Sequence, residues 1–135
     1  MKSLLILGAG GFGRMIKETA LALGYEEVLF LDDTAKDDDV IGRCCDYHLY
    51  HRDYSVAVAA FGNNKTRLFW TQKLLEEEYE VPAIVHPSAI VSPSVRLEPG
   101  CFIMQRAVVN MNTTIKMAAL INSGAVVDHD SIVEE

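Results

Sequence analysis

The chain has 135 residues, half of them hydrophobic and 23% charged, with a formal net charge of −7. This is the composition of a folded chain and not of a disordered one, and with no basic face in either half it argues against a nucleic-acid partner. No apolar stretch approaches the roughly 20 residues of a bilayer span, Cys44, Cys45 and Cys101 make no disulfide framework, and no Cys/His spacing suits zinc; the expectation is a cytoplasmic, reduced protein without a metal.

In chain order, residues 3–7 read as a buried strand that stops at Gly8-Ala9-Gly10-Gly11-Phe12-Gly13. A helical pattern follows, with Ile16, Ala20 and Leu23 on one face and Gly24 as its stop. Val28 to Leu31 is a second buried strand ending in Asp32-Asp33, which completes a βαβ unit. The polar segment from Thr34 to Tyr54 has no clear period and is expected to contain a loop over the sheet edge. Val56 to Phe61 is the next strand, stopped by Gly62-Asn63-Asn64. Lys65 to Glu80 reads as a helix with Leu68, Thr71, Leu75 and Tyr79 on one face, and Val81 to Val85 as a fourth strand. Together these predict a Rossmann-like α/β domain with a parallel sheet over residues 1–85.

Gly8, Gly10 and Gly13 satisfy G-x-G-x-x-G, and Asp32 follows 19 residues after Gly13 at the end of the second strand. That context suits a phosphate on the helix N-terminus with an acidic group near a ribose. It does not choose between NAD and a nucleotide sugar, and a glycine turn serving only tight helix–strand packing is the plainer reading. Gly62-Asn63-Asn64 forms a second polar turn at a strand's carboxyl end, either bordering a ligand or supplying Asn64 as a helix cap. Arg67 either reaches the same site or lies solvated on its helix.

From Val91 onward the sequence repeats every six residues. Positions 91, 97, 103, 109, 115, 121, 127 and 133 are all Val, Leu or Ile, and the residues two before them (Ala89, Val95, Cys101, Ala107, Thr113, Ala119, Ala125, Ser131) are small or β-branched. A six-residue period with one aliphatic and one small inward position predicts an incomplete parallel β-helix of hexapeptide repeats over residues 86–135, expected to be left-handed from its resemblance to known hexapeptide proteins. About two and a half coils are expected from residue 91. So few coils are rarely stable alone, and the stop at Glu135 in mid-strand suggests a truncated form.

GAGGFGR after the first strand, FLDD after the second, FGNNKTR after the third, then HPSAIVSPS and INSGAVVDHD, form a series that covers essentially the whole chain. The series resembles the sialic acid O-acetyltransferase/nucleotide-4-amino-sugar N-acetyltransferase family of bacterial surface-glycan synthesis. The resemblance implies an N-terminal domain that holds a UDP-linked amino sugar, a β-helix that binds acetyl-CoA, and an active-site histidine between the subunits of a homotrimer. It places Gly10, Gly11 and Phe12 at the phosphates and sugar, Asp32 and Asp33 at the uridine, and Gly62 and Asn63 at the border of that pocket. His129 matches the catalytic base, with Asp130 as the acidic neighbour that raises its basicity. Phe12 stands where a histidine is common, and most of the acetyl-CoA site would lie beyond Glu135.

The chemistry is coherent on its own terms. An amine or hydroxyl that attacks a thioester must lose a proton, and histidine is tuned for that near neutral pH. As an isolated residue His129 is also readable as an exposed turn. The leading expectation is an acetyl-CoA-dependent acetyltransferase acting on the amino group of a UDP-linked sugar, or on a sialic-acid hydroxyl. Its rivals are a non-catalytic sugar-nucleotide-binding fragment and an NAD-binding oxidoreductase fragment; the second leaves the hexapeptide period unexplained.

Overall fold

The computed structural model describes residues 2–135, which divide into two compact units, the first ending at Val81 and the second spanning Pro82–Glu135. The first unit contains β1 (Ser3–Leu7), α1 (Gly11–Ala22), β2 (Glu27–Leu31), β3 (Val40–Gly42), a 3-10 helix (Cys44–Leu49), β4 (Ala57–Ala59) and α2 (Asn64–Glu76). Its four strands are parallel in the order β3-β2-β1-β4. Central β1 is flanked on both sides, which is why Leu4 to Leu7 form an unbroken apolar run and are wholly buried. Helix α1 packs on β1 and β2 through Gly13, Ile16, Thr19 and Ala20.

Three sequence expectations are refined or corrected here. The polar segment after Thr34 contains more than a loop: Val40–Gly42 adds an edge strand to β2, and the 3-10 helix follows. Three residues are too few for a periodic signal; the strand is held by the Phe30 N–H donating to the Asp39 carbonyl at 2.8 Å and that of Asp32 to the Gly42 carbonyl at 2.9 Å. Asp39 anchors the segment, accepting hydrogen bonds from Arg14 and Lys17, each at 2.6 Å; chiefly through the Arg14 bond, its carboxyl titrates at about 2.

The run Val81 to Val85 does not close the sheet. Glu80 makes one bridge to Val56, and Ile84–Val85 pairs instead with Phe102–Ile103 of the second unit. Val85 has Ala83 two residues before it, the same small-then-aliphatic spacing as the repeats, and both pack against the β-helix core. A short apolar run by itself does not distinguish a sheet strand from the first rung of a coil. Third, α2 buries Arg67, Thr71 and Leu74, one step round from the face predicted, and ends before Tyr79.

The second unit is a left-handed parallel β-helix. Nine two-residue strands, Ile84–Val85 to Ile132–Val133, form three sheets of three, so there are three rungs per sheet in place of the two and a half coils expected. The register repeats every eighteen residues, as in Arg96, Thr114 and Ile132. Inward columns of Ile, Val and Leu alternate with Ala and Cys, as the period predicts.

From Gly100 onward the corners use a left-handed residue, recurring every six positions: Gly100, Arg106, Asn112, Ala118, Gly124 and Asp130. A side chain in that conformation costs about 1–2 kcal/mol. Each of these corners is tied to the coil below: the Arg106 and Asn112 N–H groups donate to the Ser88 and Ser94 hydroxyls at 3.0 and 2.9 Å, and those of Ala118 and Asp130 to carbonyls of Pro99 and Met111 at 3.1 and 2.9 Å. The serines of the HPS and SPS motifs therefore hold the corners above the first coil.

Candidate functional site

In the first unit the two polar turns meet at the carboxyl edge of the sheet. Gly8 (φ 101°) lies against the Ala60 carbonyl and the Phe61 ring. A Cβ on Gly13 would stand 1.8 Å from the Gly8 carbonyl oxygen, so this glycine permits the close approach of α1 to the turn. Gly10, Gly11 and Gly62 differ: a Cβ there would meet nothing within 4 Å. Gly10, Gly11, Gly62 and Asn63 are exposed, and Phe12 is half-buried. Helix α1 is entered at Gly10 with no side-chain cap and no acidic residue in its first turn, the kind of helix N-terminus that suits an anion.

Asp32 sits beside this turn but is occupied by the backbone. One carboxylate oxygen accepts from the Ala9 N–H at 2.8 Å, the other from the N–H groups of Thr34 and Ala35 at 2.9 and 2.8 Å. Burial pushes its carboxyl up, and the Ala35, Ala9 and Thr34 N–H groups outweigh that and hold it below the ordinary value. Asp33 is exposed and accepts from the Cys44 N–H at 3.0 Å. Both aspartates line an open groove of about 410 Å³ between residues 32–36 and 40–43.

Asn63, and not Asn64, caps α2, accepting from the Thr66 N–H at 2.9 Å. Arg67 is 2% exposed. Its guanidinium donates to the Phe61 carbonyl at 2.9 Å, the Gly62 carbonyl at 3.3 Å and Asn64 Oδ1 at 2.8 Å. It shapes the Gly62–Asn64 turn from within, a role that sequence reading missed.

In the second unit Asp128-His129-Asp130 forms an exposed corner. His129 Nδ1 lies 2.6 Å from Asp130 Oδ2, and its backbone N–H donates to Asp128 Oδ1 at 2.8 Å. With Nδ1–H given to Asp130, the lone pair is on Nε2, which stands 3.8 Å from Asp128 Oδ1. The Asp130 hydrogen bond first, and the Asp128 charge second, raise the imidazole above its ordinary value. The His129 bond lowers Asp130 in turn, aided by a hydrogen bond from the Asn112 side chain. The arrangement is an imidazole oriented by a carboxylate on an exposed corner, its side chain 58% exposed, and such a pair can accept a proton. Among the described residues no cluster of His, Cys, Asp or Glu could hold a metal ion, and no helix is long and apolar enough to cross a membrane.

The family profile described as the PglD N-terminal domain matches residues 3–74. A structure of the acetyltransferase domain of PglB from Neisseria gonorrhoeae, in complex with acetyl coenzyme A, is 33% identical with a TM-score of 0.94, over 98% of this chain and 67% of that one. The chain belongs to the nucleotide-4-amino-sugar N-acetyltransferase family. A histidine-to-asparagine variant of perosamine N-acetyltransferase from Caulobacter crescentus, in complex with CoA and GDP-perosamine, is similar at 29% identity and TM-score 0.94, over 99% of this chain and 66% of that one. WeeI from Acinetobacter baumannii, 17% identical with a TM-score of 0.84 over 100% of this chain and 68% of its own, shares the fold. This family member thus spans about two thirds of the length of each similar structure.

Proposed function

We propose that the chain transfers the acetyl group of acetyl-CoA to the amino group of a nucleotide-linked 4-amino sugar, in bacterial surface-glycan synthesis. The observation that carries this is the exposed His129–Asp130 pair on a hexapeptide β-helix. The similar structures that hold acetyl-CoA, or CoA with GDP-perosamine, support it. The sugar amine attacks the thioester carbonyl and gives its proton to Nε2 as the C–N bond forms. Backbone N–H groups steady the oxyanion, and collapse breaks the C–S bond, the proton going on to the CoA thiolate. A cytoplasmic setting suits both acetyl-CoA and a nucleotide sugar. Acetyl transfer by the full-length polypeptide, followed as CoA release, should appear with UDP- or GDP-linked 4-amino sugars and vanish with their N-acetylated products. Nucleotide binding with no CoA release would favour a non-catalytic binding protein instead.

The acceptor's nucleotide is assigned to the Gly10-Gly11-Phe12 turn, whose two glycines are exposed, the Asp32/Asp33 groove and the Gly62-Asn63 turn. Here Asp32 acts by holding the Ala9 N–H, and Asp33 is the carboxylate left more open to a ligand. Calorimetric titration should show UDP or a UDP-sugar binding in preference to NAD, with GDP as the comparison that reports base selectivity. Tight NAD binding without response to either nucleoside diphosphate would overturn the assignment.

The β-helix is assigned as the contact between the subunits of a homotrimer. Outward on one of its sheets stand Ile90, Val108 and Val126, one per coil in register. Ile90 and Val126 are 67% and 70% exposed, and an aliphatic ladder of this kind suits burial against a second copy. Val126→Lys should leave the coil folded and convert trimer to monomer in sedimentation equilibrium at micromolar concentration. A monomeric wild type, or a Val126→Lys variant that stays fully trimeric, would contradict it.

A further inference from the structure

Thr113 and Ser131, one coil apart, are the two hydroxyl residues among the inward small positions, and Thr113 is the buried one. The others, from Ala83 to Ala125, are Ala, Val or Cys. Thr113 is 1% exposed, in a stack where valine would fill the same space. A hydroxyl kept there is unfavourable unless it is hydrogen-bonded. Its bonds run to the next coil. Thr113 Oγ1 donates to the Asp128 carbonyl at 3.0 Å and accepts from the Ser131 N–H at 3.4 Å; the Met111 carbonyl, at 3.5 Å, is a weaker claimant on its single proton. Those two backbone groups flank the His129-Asp130 corner on either side. The same stretch of the lower coil adds two more ties: the Asp130 N–H donates to the Met111 carbonyl at 2.9 Å, and Asn110 Nδ2 to the Val127 carbonyl at 3.0 Å. Residues 110–113 are thus the template on which residues 127–131 are laid.

We infer that Thr113 is a positioning residue for His129, its buried hydroxyl clamping the backbone on both sides of the base and so fixing the direction of Nε2. This rests on the reading of His129 as the base. The His129 side chain is 58% exposed, so little packing of its own holds it and its aim is set from below. Small misplacements of a reacting group cost rate and not ground-state affinity.

The test compares Thr113→Val with Thr113→Ser in the full-length protein, by steady-state acetyl transfer and by amide hydrogen exchange across residues 128–131. Thr113→Val should lower kcat about 10–100-fold, leave the acceptor KM within about twofold, and speed exchange at the His129 and Asp130 amides. Thr113→Ser should restore kcat to within about threefold. Should the valine variant not fold, Thr113→Ala set against Thr113→Ser makes the same comparison. Unchanged kcat or unchanged exchange in a folded variant lacking the hydroxyl overturns the inference, as does equal loss in the serine variant, which would assign the effect to the methyl group. If His129→Ala leaves turnover intact, it is the base assignment that fails, and the exchange measurement still judges the clamp.

Discussion

Replacing His129 by alanine should lower kcat for acetyl transfer by about 10²–10⁴-fold while leaving sugar-nucleotide affinity nearly unchanged. The split follows from where the charge develops. An amine binds equally well with or without a base near it, but it cannot complete attack on the thioester without losing its proton, so the loss is confined to the transition state. The pH dependence has a definite sign. Asp130, by accepting the Nδ1 hydrogen bond, and Asp128, by its charge, favour the imidazolium and raise the pKa of His129. A base must be neutral to work, so the acid limb of kcat/KM should lie above the ordinary histidine value. Asp130→Asn should move that limb down in pH and lower the rate. A profile without an acid limb, together with full activity in His129→Ala, would remove His129 from the mechanism.

Ile103→Asp should abolish cooperative folding of the β-helix. Ile103 is wholly buried and stands in register between Val85 below and Ile121 above. Neighbours in its cluster, Cys101, Ala107, Val109 and Ile115, offer no charge to pair with a carboxylate. An unpaired buried charge belongs to the most damaging class of substitution, above about 4–5 kcal/mol, which is comparable to the whole stability of many domains. Each coil also supports the next, so the loss propagates along the stack. Urea unfolding followed by far-ultraviolet circular dichroism reads the result. A variant with the native midpoint would show that the inward column is not the source of stability.

The β-helix was legible before folding because its geometry is written once per rung: an inward aliphatic residue every six positions, with a small one two places earlier. The same spacing at Ala83 and Val85 carried the stack one rung further down than residue 91, although an apolar run next to an α/β unit looks equally like a sheet strand. The glycine turn, the acidic end of β2 and the Asp128-His129-Asp130 triplet were legible for a similar reason, since each lies within a few consecutive residues and local chemistry governs it.

What the amino-acid order alone determined, then, are the short-range features: the periods, the turns, and which carboxylate can reach which imidazole one residue away. Tertiary structure decided the assignments that depend on partners far along the chain. Gly8 and Gly13 proved to be packing glycines, and Gly10 and Gly11 open ones, only once α1 lay against the turn. Asp32 was committed to the Ala9 N–H 23 residues away. Arg67 was drawn inward by the carbonyls of its own helix entry, overriding the usual preference of a helix arginine for water. The corner that carries His129 was fixed by Thr113, Asn112 and Met111, a coil below. A hydrogen bond from one coil to the next, between residues fifteen apart, has no local periodicity to announce it; only closing the coil brings donor and acceptor to 3.0 Å of each other.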